Sequence, residues 1–209
     1  MGFFLTVEGC EGAGKTTAME SIRQWLIAKG IAFEQTREPG GTLLAEQIRE
    51  LLLAKHQESV ADTTELLLMF AARSQNFHEK IKPALAQDKV VLSDRFTDAT
   101  YAYQGGGRGV DCSRIEILEQ LVQGDCRPDL TLLMDLEPEL GLARARGRGG
   151  ELDRIEQEDI DFFKRVRAAY LARAEQFPER YRVVDASQSI ESVRVRIETI
   201  LAEYLESCL

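Results

Sequence analysis

Histidine is nearly missing from this chain: His56 and His78 are the only two in 209 residues, and neither lies near the end of a predicted strand. Both are read as surface residues, so histidine acid–base chemistry is not expected. The four cysteines, Cys10, Cys112, Cys126 and Cys208, form no CxxC pair, which argues against a disulfide framework or a structural zinc site. Positive charge is in deficit, with 26 Lys and Arg against 35 Asp and Glu, a net charge of −9. A general binder of a nucleic acid polymer would need a strongly basic face. No apolar run approaches the ~20 residues of a membrane span, and the amino terminus lacks the charged and apolar regions of a signal peptide. A cytoplasmic protein with no membrane partner is expected.

What is present points to a folded α/β domain. Hydrophobic residues make up 44% and charged residues 29%, and the length suits one elaborated domain over 1–209 better than two cores. Residues 3–8 form an apolar, β-favouring run, and 18–28 carries Met19, Ile22, Trp25 and Leu26 at helical spacing. A second strand is predicted over 31–36, then a turn over 38–42 and a helix containing Leu44, Ile48, Leu51 and Leu52. Asp62 with Glu65 reads as a capping box opening a helix through Leu66, Phe70, Phe77 and Ile81, disturbed at Pro83. Continuous apolar runs over 90–94 and 130–136 are expected of strands covered on both faces. Pro138 suits the first turn of a helix, another follows Glu156, 181–185 reads as a last strand, and Ile190, Val193, Ile197 and Leu201 mark a closing helix. The alternation implies a doubly wound, five-stranded parallel sheet flanked by helices. Residues 144–154, rich in glycine and arginine, read as a loop or lid.

Gly9, Cys10, Glu11, Gly12, Ala13, Gly14, Lys15 and Thr16 fit GxxxxGK[ST] between a predicted strand and helix. Such a loop turns backbone N–H groups toward phosphates; Lys15 would reach the outer phosphates and the Thr16 hydroxyl would ligate Mg²⁺. The only asparagine, Asn76, is followed by Phe77, so the Asn-Lys-x-Asp reader of guanine-specific GTPases is missing. The Leu-Ser-Gly-Gly-Gln signature of ABC-type ATPases is missing too. A small kinase or an ATP-driven switch remains. Ligands of an open α/β sheet bind beyond the carboxyl ends of the strands. There Arg37 and Arg95 would hold a second phosphate group and Asp94 would help organise Mg²⁺; the alternative is a structural ion pair. Arg144, Arg146, Arg148 and Arg154 are either a solvated helix face or a lid that delivers a catalytic cation. No general base is evident, which suits an acceptor that is itself a phosphate ester, largely dianionic with a second pKa near ~6. Cys10, near a helix N-terminus, is either an oxidation-prone thiol of lowered pKa or an inert small residue.

These segments, with Thr36-Arg37-Glu38-Pro39-Gly40-Gly41-Thr42, Asp94-Arg95-Phe96, Tyr101-Ala102-Tyr103-Gln104-Gly105-Gly106-Gly107-Arg108-Gly109 and Leu152-Asp153-Arg154-Ile155-Glu156, closely resemble bacterial thymidylate kinases along nearly the whole chain. The resemblance implies transfer of the γ-phosphate of ATP to dTMP, giving dTDP, with Mg²⁺, in a cytoplasmic homodimer. It also implies that Phe70 stacks on thymine, although the apolar stripe makes Phe70 equally a core residue. Arg73 would donate to a base oxygen, and Thr100 and Gln104 would complete the pocket. Tyr103 would pack on the deoxyribose, Glu11 would accept from the 3′-hydroxyl, and Arg37 and Arg95 would hold the monophosphate. With no arginine in the glycine loop, the lid would supply the catalytic cation, from Arg154 first and Arg148 second. Tyr103 and Gln104, before three glycines, suggest a loop approached closely by a ligand. Another nucleoside monophosphate kinase and a non-catalytic nucleotide switch are the alternatives.

Overall fold

The computed structural model describes residues 2–147 and 153–205. Five parallel strands, β1 Phe3–Glu8, β2 Phe33–Arg37, β3 Val90–Asp94, β4 Leu130–Asp135 and β5 Tyr181–Asp185, form one sheet in the order β2-β3-β1-β4-β5. Helices cover both faces. On one face α1 (Lys15–Ala28) and α9 (Ile190–Leu205) bury Ile22, Leu26, Ile197 and Leu201 against Leu5, Val7, Leu92 and Leu132. Each such side chain contributes on the order of 1.5–3 kcal/mol when removed from water. On the other, α8 (Ile160–Gln176) packs Phe163, Val166 and Tyr170 near Leu133.

The apolar strand runs are legible because a strand covered on both faces must be continuously hydrophobic. Where boundaries moved, the reason is local. The helix read from residue 18 begins at Lys15, because its first turn, Lys15, Thr16 and Thr17, faces away from the core and carries no apolar signal. The strand read over 31–36 is shifted to Phe33–Arg37, and that read over 130–136 stops at Asp135.

Two readings are corrected. No capping box opens α3 (Asp62–Asn76): its N-cap is Ala61 without a side-chain bond, and the Glu65 carboxylate is drawn inward by Gln104, Arg108 and Arg154. The disturbance expected at Pro83 is present, as a change of helix type and not a break. A π-helical turn over Phe77–Ile81 leads into α4 (Lys82–Ala86), with Pro83 in its first turn. Second, the segment holding Tyr103 and Gln104 is not a loop. The short α5 (Thr97–Thr100) runs into a second π-helical segment, Tyr101–Gly107, and its glycines serve packing: a Cβ on Gly106 would lie 2.5 Å from that of Ala169 on α8. Two further helices complete the chain's path: α2 (Leu43–Leu53) follows β2, and α6 (Cys112–Gln123), which the sequence reading did not separate, is capped by Asp111 accepting from the Ser113 N–H. Finally, α7 (Pro138–Gly147) makes Arg144 and Arg146 helical rather than part of a loop, and Arg148 lies outside the described residues.

Candidate active site

The register places the chemistry. Val7 is level with Asp94 on β3, and Arg37 on β2 is level with the same residue, so three strand ends discharge Gly9, Asp94-Arg95 and Glu38 at one edge. The glycine loop folds tightly because Gly12 (φ 71) abuts the backbone of Gly141, leaving no room for a side chain. Lys15 donates to the carbonyls of Gly9 and Cys10 at 3.0 Å each. Burial, reinforced by Arg95, lowers its pKa from the usual lysine value.

Two cavities meet at this edge. One is lined by Met69, Arg73, Phe96, Thr100, Tyr103 and Gln104, the other by Gly12, Lys15, Thr16, Arg37, Asp94 and Arg144, and Glu11, Glu38, Arg49, Arg95 and Asp153 border both. Glu11 accepts from the Tyr103 hydroxyl at 2.7 Å and from Arg95 Nη2 at 2.9 Å. Burial alone would raise its pKa, but Arg95, Lys15 and the tyrosine bond outweigh it and hold the carboxylate ionised. The Arg95 guanidinium lies 4.6 Å from the Tyr103 ring centre. Arg37 leans on Glu46 at 2.7 Å and remains half exposed. Asp94 keeps one buried oxygen, Oδ1, without a hydrogen-bond partner among the described residues.

In the first cavity Arg73 is fixed from three sides: Nε to Glu38 at 2.6 Å, and Nη2 to the Phe96 carbonyl at 3.2 Å and Thr100 Oγ1 at 3.0 Å. Its Nη1 is buried with no hydrogen-bond partner among the described residues. Such a donor is costly unless something polar meets it. The expected stacking residue is corrected here. Phe70 packs under Arg73 with Leu66, Tyr101 and Ile115, while Met69 lines the cavity. Adjacent helical residues point ~100° apart, so the face carrying Arg73 holds the residue four positions earlier, Met69.

The sequence reading missed Arg49, which donates to the Pro39 carbonyl and borders both cavities. Desolvation, with Arg37 and Arg95 close by, lowers its pKa, the mark of a cation-rich spot suited to an anion. Nothing in its local sequence distinguishes it from a solvated helix arginine. Arg154 does not face the glycine loop: it pairs with Glu65 at 2.6 Å and donates to the Leu52 carbonyl at 2.9 Å. Arg144, by contrast, lines the phosphate-side cavity and donates to the Ala186 carbonyl. Burial pushes the Cys10 thiol up to about 12, so the reactive-thiolate alternative is set aside. His56 and His78 are exposed and hydrogen-bond to helix carbonyls, away from both cavities.

Residues 7–197 match the family model described as thymidylate kinase. The thymidylate kinase of Pseudomonas savastanoi pv. phaseolicola (strain 1448A / Race 6) is 58% identical over 205 residues, spanning 98% of this chain and 97% of its own length. That of Pseudomonas entomophila (strain L48) is 58% identical over 207 residues, spanning 99% and 98% respectively. Among solved structures, the thymidylate kinase of Ehrlichia chaffeensis matches with a TM-score of 0.80 at 35% identity, covering 96% of this chain and 98% of that one. With its P-loop, its parallel sheet and these likenesses along its whole length, the chain belongs to the thymidylate kinase family.

Proposed function

We infer that this chain transfers the γ-phosphate of ATP to dTMP, yielding ADP and dTDP for dTTP synthesis. Family membership supports the reaction. The observation that carries the substrate arrangement is the junction of two cavities at Glu11, Arg49 and Arg95. The ATP phosphates follow the loop Gly9 to Thr16 and Lys15, and the adenine half takes the adjoining hollow bordered by Arg144, Ala186 and Gln188. The dTMP phosphate sits at the junction with Arg37, Arg49 and Arg95. Tyr103 packs on the deoxyribose and disfavours a 2′-hydroxyl, Glu11 accepts from the 3′-hydroxyl, and thymine lies on Met69 with Arg73, Thr100 and Gln104 at its polar edge.

A dTMP phosphate oxygen then bonds to the γ-phosphorus as the bridging bond to ADP breaks. The attacking group is largely dianionic, with a second pKa near ~6, so no protein base is required. Catalysis reduces to alignment and to charge stabilisation by Lys15, Arg95 and an arginine of the lid. Arg144 stands on the donor side, whereas Arg154, held by Glu65, serves the acceptor end.

Mg²⁺ fits these residues. Thr16 lies in the first turn of α1, and Asp94 offers, on the same cavity wall, a buried oxygen with no hydrogen-bond partner among the described residues. A hard cation carried by the phosphates would take the Thr16 hydroxyl, with Asp94 acting through water. When bound, it offsets charge on the β- and γ-phosphates. No helix among the described residues is long and apolar enough to cross a membrane. A cytoplasmic homodimer completes the reading, supported by the exposed Leu67, Ile117 and Leu121 on α3 and α6.

The test is ADP release with Mg-ATP and, separately, dTMP, dUMP, AMP, CMP and GMP. A strong preference for dTMP is expected. ATP binding without transfer to any acceptor would replace this reading with a nucleotide switch.

A further inference from the structure

Three residues of α3 spaced by four, Glu65, Met69 and Arg73, share one helical face. Met69 and Arg73 line the acceptor cavity, but Glu65 does not. It is 1% exposed and is met from three directions: Gln104 donates Nε2 at 2.7 Å, and Arg154 and Arg108 form ion pairs with it at 2.6 Å and 3.4 Å. Burial by itself would raise the Glu65 pKa. The Gln104 bond and the two arginines outweigh it and hold the pKa below the ordinary carboxylate value. Glu65 is therefore an anion at neutral pH.

An ionised carboxylate only accepts hydrogen bonds. Whatever side-chain amide lies against Glu65 must offer its NH₂, so the Gln104 carbonyl oxygen is left for the cavity that Gln104 also lines. Beside it, Arg73 brings a buried Nη1 donor with no partner among the described residues. The wall thus presents one acceptor and one donor. Thymine offers the complement, an N3–H donor and an O4 acceptor, whereas cytosine presents the reverse, an N3 acceptor and an N4 amino donor.

We propose that Glu65 sets the base specificity of the acceptor site by holding the Gln104 amide with its oxygen toward the base, so that an imide edge is accepted and an aminopyrimidine edge is refused. Glu65 is a positioning residue in this scheme; Gln104 and Arg73 touch the base. Arg108 and Arg154 keep it charged, and a charged acceptor is what prevents the amide from turning over. Arg154 also donates its backbone N–H to the Leu53 carbonyl, which anchors the residue that ion-pairs with Glu65. The inference rests on the dTMP kinase reading.

The experiment compares dTMP with 5-methyl-dCMP, two acceptors of the same shape that differ only in the hydrogen-bonding edge. A site built around such an edge discriminates by ~10⁴-fold when its polar groups would be left unpaired. In Glu65→Gln the neighbour of Gln104 both donates and accepts, so the amide is free to turn. The ratio of kcat/KM for dTMP over 5-methyl-dCMP is expected to fall by about tenfold or more, with KM for ATP unchanged. A merely structural role would lower both acceptors together; an unchanged ratio overturns the proposal. Should Glu65→Gln fail to fold, NMR of the wild-type protein decides, with the Gln104 side-chain amide assigned against Gln104→Leu. Its NH₂ protons are expected to be protected from solvent exchange and to keep their shifts when dTMP binds. Rapid exchange, or large shifts on binding, would mean that the NH₂ faces the base and would overturn the proposal. Wild-type enzyme inactive on dTMP would sink the activity reading itself; a fully active enzyme whose ratio ignores Glu65 would sink only this one.

Discussion

Arg95 occupies a left-handed backbone conformation, φ 70, which costs a residue with a side chain roughly 1–2 kcal/mol. Neighbouring bonds offset that cost: Arg95 N to the Val7 carbonyl at 3.0 Å, Phe96 N to Glu8 at 2.7 Å and the Ser93 hydroxyl to the Arg95 carbonyl at 2.6 Å. The strained turn aims the guanidinium back over the loop toward Glu11. Arg95→Ala should therefore lower kcat/KM for dTMP by about 30- to 1,000-fold, the loss of a buried charged pair worth ~2–4 kcal/mol. Arg95→Lys should recover little, since a point charge cannot reproduce the planar fork. Steady-state kinetics equal to wild type in either variant would remove the role. Glu8, which braces this turn and also accepts from Tyr170, is lifted to about 8 by burial and by Asp98, against the hydrogen bonds and Arg95 that pull it down. In the unfolded chain it ionises near 4.5, so across that window the folded protein keeps a proton that the unfolded chain has lost. Stability must then fall as pH rises from about 4.5 to about 8. Glu38, raised by its own burial, adds to the same slope. Urea unfolding at mildly acid and mildly alkaline pH should show Glu8→Gln losing less stability than wild type, by a few kcal/mol at most. Identical slopes would assign the effect elsewhere.

At the scale of elements, α3 and the π-helical segment Tyr101–Gly107 act as the two jaws of the acceptor cavity. The wider π turn sets Tyr103 and Gln104 toward the cavity while Gly106 and Gly107 let α8 close against its back. Gly106→Ala would bring its Cβ within 2.5 Å of the Ala169 Cβ and 3.0 Å of the Arg165 carbonyl, so the segment must retreat from α8. The expected cost is about 1–3 kcal/mol of stability, seen in the urea midpoint, with a raised KM for dTMP because Tyr103 and Gln104 move with it. A variant that melts earlier but keeps its KM would show that the segment yields at its back alone. The same element shows where local sequence misleads. Three consecutive glycines read as a ligand-approached loop, yet at Gly106 and Gly107 it is contact with α8 that demands the missing side chains. The Phe70 reading failed for a related reason: the apolar stripe marks the core face of α3, and the adjoining face, one residue over, carries the site.

For the whole molecule, strand order gathers the ends of β1, β2 and β3 along one edge, where the two cavities meet at Arg95. Away from that edge, Leu67, Ile117 and Leu121 are 52%, 68% and 77% exposed on the neighbouring helices α3 and α6, an apolar face on an otherwise acidic protein. Sedimentation velocity should find a dimer that Ile117→Asp with Leu121→Asp converts to monomer; a monomeric wild type would count against the homodimer. The sequence alone determined the parts whose signal is local. Apolar runs give the strands because both faces are covered, and the P-loop is legible because phosphate binding needs backbone N–H groups, a lysine and a hydroxyl at fixed spacing. Tertiary structure decided the rest. Whether Met69 or Phe70 meets the base depends on the rotation of α3; whether Arg154 faces phosphate or Glu65 depends on which buried anion lies nearest; and Arg49 joins the site only because α2 folds back over strand ends far from it in sequence. Each depends on the direction of a side chain in three dimensions, which residue spacing does not encode.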